Sequence, residues 1–367
     1  MDTVLITGGS GFIGSNCGRW MLAHANFRVV NLDSLTNAGK FTSLWPLRNS
    51  DQYVFIRGGI ADQALVRHLL DEYDCRAIVN LAAETHVDRS IGDPRSFMRT
   101  NVDGTFELLE ASLGYWESLT GERRERFRFL HVSTNEVFGE LPSQGSFTET
   151  SPYAPSSPYA ASKAASDLLV HVYHRTYGLP VLITNCSCNY GPYQLPDKLI
   201  PLTIFNAIRG DPILVYGDGN NVRDWLHVDD HCRALELVLQ RGTCGEVYNI
   251  GGHCERTNLE VVTAICETVD RLRPDPPLRP SIELLHFVDD RPGHDLRSAM
   301  DATKIQRTLG WKASIDFAAG LESTVRWYLD NIGLINSACA RRHDGRHAVN
   351  CPTGSVRDTR LIAEPGV

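Results

Sequence analysis

The chain has 367 residues, of which 36 are basic and 44 acidic, so its formal net charge is −8. With 42% apolar and 22% charged residues, this composition is typical of a soluble globular protein with room for one large or two smaller cores. The acidic balance argues against a nucleic-acid groove, and no apolar run approaches the roughly 18 residues of a membrane span.

The first half of the chain alternates short β-branched runs with longer helical patterns. Strands are predicted at 4–7, 28–32, 53–56, 77–81, 129–133 and 181–184. Helical spacing fills 13–23, 64–70, about 97–118 and about 156–176. Continuous apolar strands that alternate with helices predict an α/β fold with a Rossmann-type, doubly wound parallel sheet.

After residue 186 the strands shorten, and Gly and Pro become frequent. We therefore expect a Rossmann domain at 1–187, with segments near 225–251 that return to it, and a smaller C-terminal α/β region at 188–335 that binds substrate. The apolar pattern ends near Asn336, and 336–367 is predicted to be a disordered tail.

The ten cysteines include no C-x-x-C pair, and the N-terminus leads into a predicted strand without a basic-then-apolar leader. Both features favour a cytoplasmic protein with reduced thiols and no bound metal. His227 and His231 are spaced i, i+4, but the acidic residues between them are typical of a helix start rather than of a zinc pair.

A glycine-rich turn separates the first predicted strand from the first predicted helix. Gly9, Gly11 and Gly14 satisfy G-x-G-x-x-G, and Gly8 extends the pattern. Such a turn lets a pyrophosphate approach backbone N–H groups at a helix N-terminus. Asp33 ends the second strand, where a carboxylate accepts hydrogen bonds from ribose hydroxyls and repels a 2′-phosphate. The site is predicted to bind NAD rather than NADP.

Tyr159 and Lys163 form Y-x-x-x-K, which places both side chains on one helix face. A nearby ammonium is expected to lower the pKa of the phenol, so that it can take a proton from an alcohol as hydride leaves. Ser133 and Thr134 end a predicted strand and offer a hydroxyl to the same proton relay. Together with the glycines, this resembles the extended short-chain dehydrogenase/reductase superfamily.

Four longer segments resemble one particular family within this superfamily. They are NLAAETHVDRSI at 80–91, NYGPYQ at 189–194, RDWLHV at 223–228 and DRPGHD at 290–295. All four are similar to signature segments of the dTDP-glucose 4,6-dehydratases, and the similarity runs from Met1 to about Asp330.

The resemblance implies an NAD-dependent, redox-neutral dehydration of a dTDP-sugar to a 4-keto-6-deoxy sugar. Tyr159, assisted by Thr134 and Lys163, would remove the C4 hydroxyl proton, and Glu136 would remove the C5 proton. Water would leave from C6, and the hydride taken from C4 would return to C6. The long helices near 97–118 and 156–176 would form a homodimer interface.

The same resemblance implies the binding residues. Those of the cofactor would be Gly8, Gly11, Phe12, Ile13, Gly14, Asp33, Ser34, Thr36, Gly59, Ile60, Leu81, Ala82, Ala83, Thr85, Thr100, Tyr159, Lys163 and Cys188. Those of the substrate would be Thr85, Thr134, Asn189, Lys198, Leu199, Arg223, Asn258, Arg291 and His294.

Asn135 departs from the family pattern, which has Asp between the Thr and the Glu. An amide can hydrogen-bond the departing C6 hydroxyl but cannot protonate it. Three outcomes are open: Glu136 carries both proton transfers, an unsaturated 4-keto-5,6-ene sugar escapes, or dehydration is lost. The first is favoured, with some leakage, because Glu136 and every oxidation residue are present.

Four smaller departures accompany Asn135. Gly59 stands where the family has an Asp that bonds the adenine, and Cys188 where it has Asn near the nicotinamide. Asn185 replaces Arg, and Ser298 replaces a Tyr near the nucleotide.

Two other functions fit parts of the pattern. A nucleotide-sugar 4-epimerase or decarboxylase also uses Tyr and Lys with NAD, but it needs no carboxylate at Glu136. A catalytically idle NAD-binding protein would explain Asn135, but not the retention of Thr134, Glu136, Tyr159 and Lys163.

Overall fold

The computed structural model of the chain describes residues 1–36, 47, 50–273, 275 and 279–336. Within them, the strands are β1 (Asp2–Thr7), β2 (Phe27–Asp33), β3 (Tyr53–Arg57), β4 (Cys75–Asn80), β5 (Arg128–Thr134), β6 (Val181–Cys186), β7 (Cys188–Tyr190), β8 (Ile213–Tyr216), β9 (Val222–His227), β10 (Val247–Ile250), β11 (Glu255–Thr257), β12 (Leu285–Val288) and β13 (Arg297–Ser298). The helices are α1 (Phe12–His24), α2 (Gln63–Glu72), α3 (Val87–Gly92), α4 (Pro94–Phe97), α5 (Gly104–Ser118), α6 (Gly121–Arg126), α7 (Pro158–Tyr177), α8 (Leu199–Arg209), α9 (Val228–Arg241), α10 (Asn258–Leu272), α11 (Thr303–Leu309) and α12 (Phe317–Asp330). The predicted tail lies, apart from Asn336, outside the described residues.

Seven parallel strands form the main sheet, in the order β10-β6-β5-β4-β1-β2-β3. β1 is an interior strand, and its Leu5 pairs with Val30 of β2 on one side and Ile78 of β4 on the other. All three side chains are excluded from solvent, because helices cover both faces of the sheet. The predicted α/β fold with a doubly wound parallel sheet is confirmed.

The two faces of the sheet bury separate apolar cores. Val4 and Ile6 project to one face, where they belong to the same core as residues of α1 and α9. Leu5 projects to the opposite face and joins a core that α2, α5 and α7 cover. The period of two along β1 therefore divides one apolar run between two helical layers.

The C-terminal part of the described chain has its own core. Ile204 of α8, Val262 of α10 and Leu321 of α12 are buried there together. β9 pairs with β7, β11 and β13 in a second sheet, and β8 pairs with β12. β10 returns to the main sheet beside β6. The boundary near residue 187 stays a prediction.

The segment predicted as one helix at 97–118 consists of α4, a π-helical turn (Met98–Asp103) and α5. Asn101 lies in this π turn, and its side chain is buried. It donates to the carbonyl of Glu84 at 3.0 Å and to Ser162 Oγ at 2.8 Å, while its oxygen accepts from the N–H of Glu84 at 2.8 Å. The turn thus connects the loop after β4 to α7. None of the helices in the described ranges has the length and apolar character that crossing a membrane requires.

Candidate active site

The predicted site residues meet at the edge of the main sheet where its parallel strands end. In doubly wound folds, ligands bind in the crevice outside these carboxyl ends. β1 ends at the glycine turn, β2 at Asp33 and β5 at Thr134. Parallel pairing therefore brings together residues that are more than 100 positions apart in the chain.

Three glycines make the β1–α1 turn tight. Gly8 has a φ of 68°, and a Cβ built there would lie 2.7 Å from the backbone of Ala82. A Cβ on Gly14 would lie 2.3 Å from the carbonyl oxygen of Gly8. Gly11 is the N-cap of α1 and supplies no side-chain cap, so the first N–H groups of this helix can donate hydrogen bonds to an anion. This cradle fits the pyrophosphate of a dinucleotide.

Asp33 is held rigidly at the end of β2. Its Oδ2 accepts from the N–H of Ser10 at 2.9 Å, and its Oδ1 accepts from the N–H of Leu35 at 2.7 Å. Each oxygen keeps a second lone pair, which fits the hydroxyls of an adenosine ribose.

The remaining predicted cofactor residues lie along the same sheet edge. Phe12 and Ile13 begin α1, Ser34 and Thr36 follow β2, Gly59 and Ile60 follow β3, Leu81, Ala82, Ala83 and Thr85 follow β4, Thr100 lies in the π turn, and Cys188 begins β7. Their roles toward the cofactor stay predictions.

The predicted catalytic residues come from two neighbouring elements. Thr134 ends β5, and Glu136 lies in the 3₁₀ turn (Asn135–Phe138) that follows. Tyr159 and Lys163 lie one turn apart on α7, which begins after the capping side chain of Ser157. Tyr159 and Lys163 are buried, and a hydrogen bond from Thr134 reaches the phenol of Tyr159.

The electrostatics of Tyr159 differ from the sequence expectation. Burial and then the Glu136 carboxylate raise its pKa well above the ordinary value, and the bond from Thr134 opposes them. The desolvation of the phenolate therefore outweighs its activation by the surrounding residues.

Glu136 also has a raised pKa, because enclosure in the cleft disfavours its charged form. The charges of Lys198, Arg291 and Arg223 act in the opposite direction, so these three predicted phosphate-binding cations lie near enough to influence this carboxyl. A carboxyl with a raised pKa can both take and return a proton near neutral pH.

Asn135 is buried, and both the nitrogen and the oxygen of its side-chain amide form hydrogen bonds. Its Nδ2 donates to Ser298 Oγ at 2.5 Å, and its Oδ1 accepts from the hydroxyl of Thr134 at 3.3 Å. Two of the positions that depart from the family pattern are therefore in direct contact.

Each of the three cations has a protein partner at the rim of the cleft. Lys198 Nζ donates to the carbonyl of Thr85 at 3.0 Å. Arg223 donates to the carbonyl of Asp295 at 2.8 Å. Arg291 forms an ion pair of 2.8 Å with Asp88, which joins the loop at 289–295 to α3.

Asn258 and His294 lie on the same side as Arg223. The N–H of Asn258 donates to the carbonyl of Asn221, and Asn221 Nδ2 donates to the carbonyl of Asp295. His294 Nδ1 lies 2.7 Å from a carboxylate oxygen of Asp290.

Two further predicted substrate residues, Leu199 and Asn189, lie on α8 and β7. Leu199 begins α8 beside Lys198. Asn189 directs its Oδ1 at His231 Nδ1, 2.9 Å away, and its Nδ2 at the carbonyl of Ser187, so its amide is already bonded within the protein. Cys188 interacts with Arg223 and Glu136, and burial raises the pKa of its thiol to about 11.

Two buried residues beside Lys163 were not predicted from the sequence. Asp167 follows Lys163 by one helical turn, and His131 precedes Ser133 by two positions on β5. Asp167 lies on the same helix face as Lys163, and His131 lies on the same strand face as Ser133. The sequence spacing therefore could have identified both residues. Within the described ranges, no group of three His, Cys, Asp or Glu side chains could hold a metal ion.

Comparison with known proteins places this geometry in one family. The family model described as GDP-mannose 4,6 dehydratase matches residues 5–324. The dTDP-glucose 4,6-dehydratase of Xanthomonas campestris pv. campestris (strain B100) is 54% identical over 331 residues, which are 90% of this chain and 94% of that protein. The Neisseria gonorrhoeae dTDP-glucose 4,6-dehydratase is 53% identical and covers 89% and 96% of the two chains.

Solved structures agree with these relatives. The crystal structure of DesIV, the dTDP-glucose 4,6-dehydratase of Streptomyces venezuelae, contains NAD and matches with a TM-score of 0.83 at 45% identity. The match covers 92% of this chain and 99% of that one. The chain therefore belongs to the GDP-mannose 4,6 dehydratase family and, within it, to the dTDP-glucose 4,6-dehydratases.

Proposed function

We propose that this protein is an NAD-dependent hydro-lyase that converts dTDP-glucose to dTDP-4-keto-6-deoxyglucose. One observation carries the proposal: Glu136 interacts electrostatically both with Tyr159, the predicted oxidation base, and with the three cations that suit a nucleoside diphosphate. A 4-epimerase needs the phenol and the cofactor but has no use for this carboxyl.

The oxidation begins at the C4 hydroxyl. Tyr159 in its phenolate form takes this proton, and Thr134, bonded to the phenol oxygen, completes the relay. NAD, when bound in the cradle at Gly8 to Gly14, supplies the acceptor for the C4 hydride and the hydride later delivered to C6. Lys163 supplies positive charge next to the developing phenolate.

Elimination follows because the C4 ketone acidifies the C5 proton. Glu136 takes that proton and delivers it to the C6 hydroxyl, which leaves as water. Asn135 can hydrogen-bond the leaving oxygen but has no proton to give. One carboxyl therefore performs two transfers that an acid–base pair would share.

Tyr159 and Glu136 also account for the remaining proton of the reaction. After water has left, Tyr159 holds the former C4 hydroxyl proton, and C5 needs one proton as hydride arrives at C6. Glu136 is ionised again at this point, and its charge favours the protonated form of Tyr159 until the proton is passed on. Passage of the proton from Tyr159 through Glu136 to C5 returns both groups to their starting states.

The diphosphate is held by groups at the opposite rim of the cleft. Lys198, Arg223 and Arg291 neutralise its charge, and Asn258 and His294 add hydrogen bonds. The chain carries a net charge of −8, so this local cluster must attract an anionic substrate against the overall field.

We further propose a homodimer formed through α5 and α7. Phe106, Leu168 and Val172 are large apolar side chains on these helices, and they are 41%, 58% and 49% exposed. A second copy would cover them. Leu168→Glu should convert the dimer to a monomer in sedimentation analysis, and an unchanged mass would contradict this interface.

The eight cysteines in the described residues are free, which supports a cytoplasmic location.

The activity test is incubation of the purified protein with dTDP-glucose in heavy water, with product analysis by NMR and mass spectrometry. The proposal predicts a 4-keto-6-deoxy product with one deuterium at C5. A 4-epimer would instead support the epimerase, and no conversion would support the idle binder. Accumulation of a 4-keto-5,6-ene sugar would show that hydride return is uncoupled from elimination.

A further inference from the structure

Lys163 stands in a closed polar cluster behind the cleft. Its Nζ donates to the carbonyl of Val132 at 2.9 Å and lies 3.3 Å from Nε2 of His131. The same Nε2 lies 3.2 Å from Oδ1 of Asp167. Lys163 is 4% exposed, and His131 and Asp167 are fully buried. The imidazole therefore stands between a buried ammonium and a buried carboxylate.

The hydrogen-bond pattern fixes the state of the His131 ring. Thr7 accepts from the N–H of Ala82 and donates to Oδ1 of Asn80 at 2.7 Å. The Nδ2 of Asn80 therefore faces Nδ1 of His131 at 3.1 Å, so Nδ1 is the acceptor and Nε2 carries the hydrogen. Burial lowers the pKa of His131 to about 4, and the ring is neutral. Its one ring N–H is available to Asp167.

Two hydroxyl groups donate hydrogen bonds to the second carboxyl oxygen of Asp167. Its Oδ2 accepts from the hydroxyl of Ser133 at 2.8 Å and from that of Tyr153 at 3.0 Å. In the described chain, the hydrogen bonds of Asp167 go to Ser133, Tyr153 and Asn185 rather than to Tyr159, Thr134 or Glu136, and its charge adds to the raised pKa of Tyr159.

Among the residues that the structure describes, Asp167 is the acidic side chain that acts most strongly on Lys163. The titratable groups of the described chain that act on the ammonium are His131 on β5, Cys186 on β6 and Asp167 on α7, and Tyr159 lies one turn earlier on α7. His131 is neutral, burial raises the pKa of Cys186 to about 12, and burial also raises the pKa of Tyr159 well above its ordinary value. Burial lowers the pKa of Lys163, and Asp167 opposes this more than any other neighbour.

We propose that Asp167 is a positioning residue for the reaction: it is the buried counter-ion that keeps Lys163 charged, one helical turn from Tyr159. The inference rests on the proposed function, because that function gives the charge of Lys163 its purpose. An uncompensated buried ammonium would release its proton, and the relay would lose the cation beside the phenol.

The direct test is the protonation of Lys163 itself. The chain has five lysines, so ε-¹³C-lysine labelling gives five NMR signals, and the Lys163→Arg variant identifies one of them. In Asp167→Asn the amide oxygen still accepts from Ser133 and Tyr153, but the charge is gone. The Lys163 signal should then titrate at least one pH unit lower than in the wild type. Titration at the same pH in both proteins would overturn the proposal.

A matched control separates charge from packing. Tyr153→Phe removes one hydrogen bond to the same oxygen of Asp167 and keeps the carboxylate. Its Lys163 signal and the alkaline limb of its pH–rate profile should stay where they are in the wild type. In Asp167→Asn this limb should move to lower pH, with at least a tenfold loss of turnover at pH 8. An equal loss at every pH, with no movement of the limb, would indicate a structural role only.

A charge-relocation variant tests the same point if Asp167→Asn folds poorly. Asn185 Nδ2 lies 3.5 Å from Asp167 Oδ2. The double variant Asp167→Asn/Asn185→Asp therefore restores a buried carboxylate close to its original place, and the alkaline limb should return toward higher pH. No recovery would contradict the counter-ion role. The NMR titration does not depend on turnover, so failure of the proposed function would leave it interpretable.

Discussion

Asn135 donates a hydrogen bond to Ser298 Oγ at 2.5 Å, and this bond joins the turn that carries the catalytic groups to β13. It also fixes the amide so that Oδ1 accepts from the hydroxyl of Thr134 at 3.3 Å. Thr134 has a single hydroxyl proton, so Asn135 competes with Tyr159 for it. The substitution at 135 therefore affects both the elimination and the oxidation half of the site.

Restoring an acid at this position should accelerate dehydration. In Asn135→Asp, the hydroxyl of Ser298 can turn to donate to the new carboxyl, so the side chain keeps its place. The acid would protonate the departing C6 hydroxyl, and general-acid help is worth about 10²–10⁴ in rate. We expect turnover to rise at least tenfold in steady-state product formation.

The comparison variant for this prediction is Asn135→Ala, which removes the bond to Ser298 and supplies no acid. It should not gain activity. An unchanged or lower rate in Asn135→Asp would show that Asn135 does not limit the reaction.

Gly59 offers a second gain-of-function test, on the cofactor. A Cβ at this position would meet nothing within 4 Å, so an Asp fits without repacking. One added hydrogen bond to the adenine is worth about 1 kcal/mol, or roughly a fivefold lower Kd for NAD. Titration calorimetry on cofactor-free protein measures this. Gly59→Ala adds a side chain without an acceptor and should bind NAD as the wild type does; equal tightening in both variants would exclude the hydrogen bond as its cause.

The ion pair between Arg291 and Asp88 allows the proposed phosphate contact to be tested with a paired control. Arg291→Gln should weaken binding of the nucleotide sugar about 10- to 100-fold, because hydrogen bonds to charged groups are worth about 1.5–3 kcal/mol. Asp88→Asn removes the same ion pair but keeps the cation. It should bind nucleotide at least as tightly as the wild type. Equal weakening in both variants would show that the ion pair, and not the phosphate contact, matters for binding.

Buried histidine makes stability depend on pH. Burial lowers the pKa of His131 from its ordinary 6.5 to about 4 in the folded chain. Between these values the unfolded chain binds a proton that the folded chain does not, so stability is lost as the pH falls from 6.5 toward 4. The linkage amounts to about 3 kcal/mol.

His131→Gln removes this titration, whatever its effect on overall stability. Denaturant unfolding at pH 4.5 and 6.5 should show a smaller difference in unfolding free energy for the variant than for the wild type. Equal differences would mean that His131 is not the group responsible.

Local patterns in the sequence predicted most of the fold. The strands from β1 to β6, the glycine turn and the Y-x-x-x-K helix are each carried by a periodicity or a short motif. The contacts that distinguish this site are long-range. Asn135 and Ser298 are 163 positions apart, and Asp88 and Arg291 are 203 apart, so no local pattern pairs them.

The role of Asp167 could be predicted only in part from local patterns in the sequence. Its spacing from Lys163 places it on the correct helix face, but only the packing of β5 against α7 shows that His131 lies between them. The pKa of Tyr159 likewise depends on burial, which the sequence does not quantify.

The most direct test of the central claim follows one hydrogen. dTDP-glucose labelled with deuterium at C4 is converted by the holoenzyme, and the product is analysed by NMR. The account predicts that deuterium moves to C6 of a 4-keto-6-deoxy sugar within the same active site. Deuterium that stays at C4 of an epimerised sugar, or a product without a 6-deoxy carbon, would contradict the account.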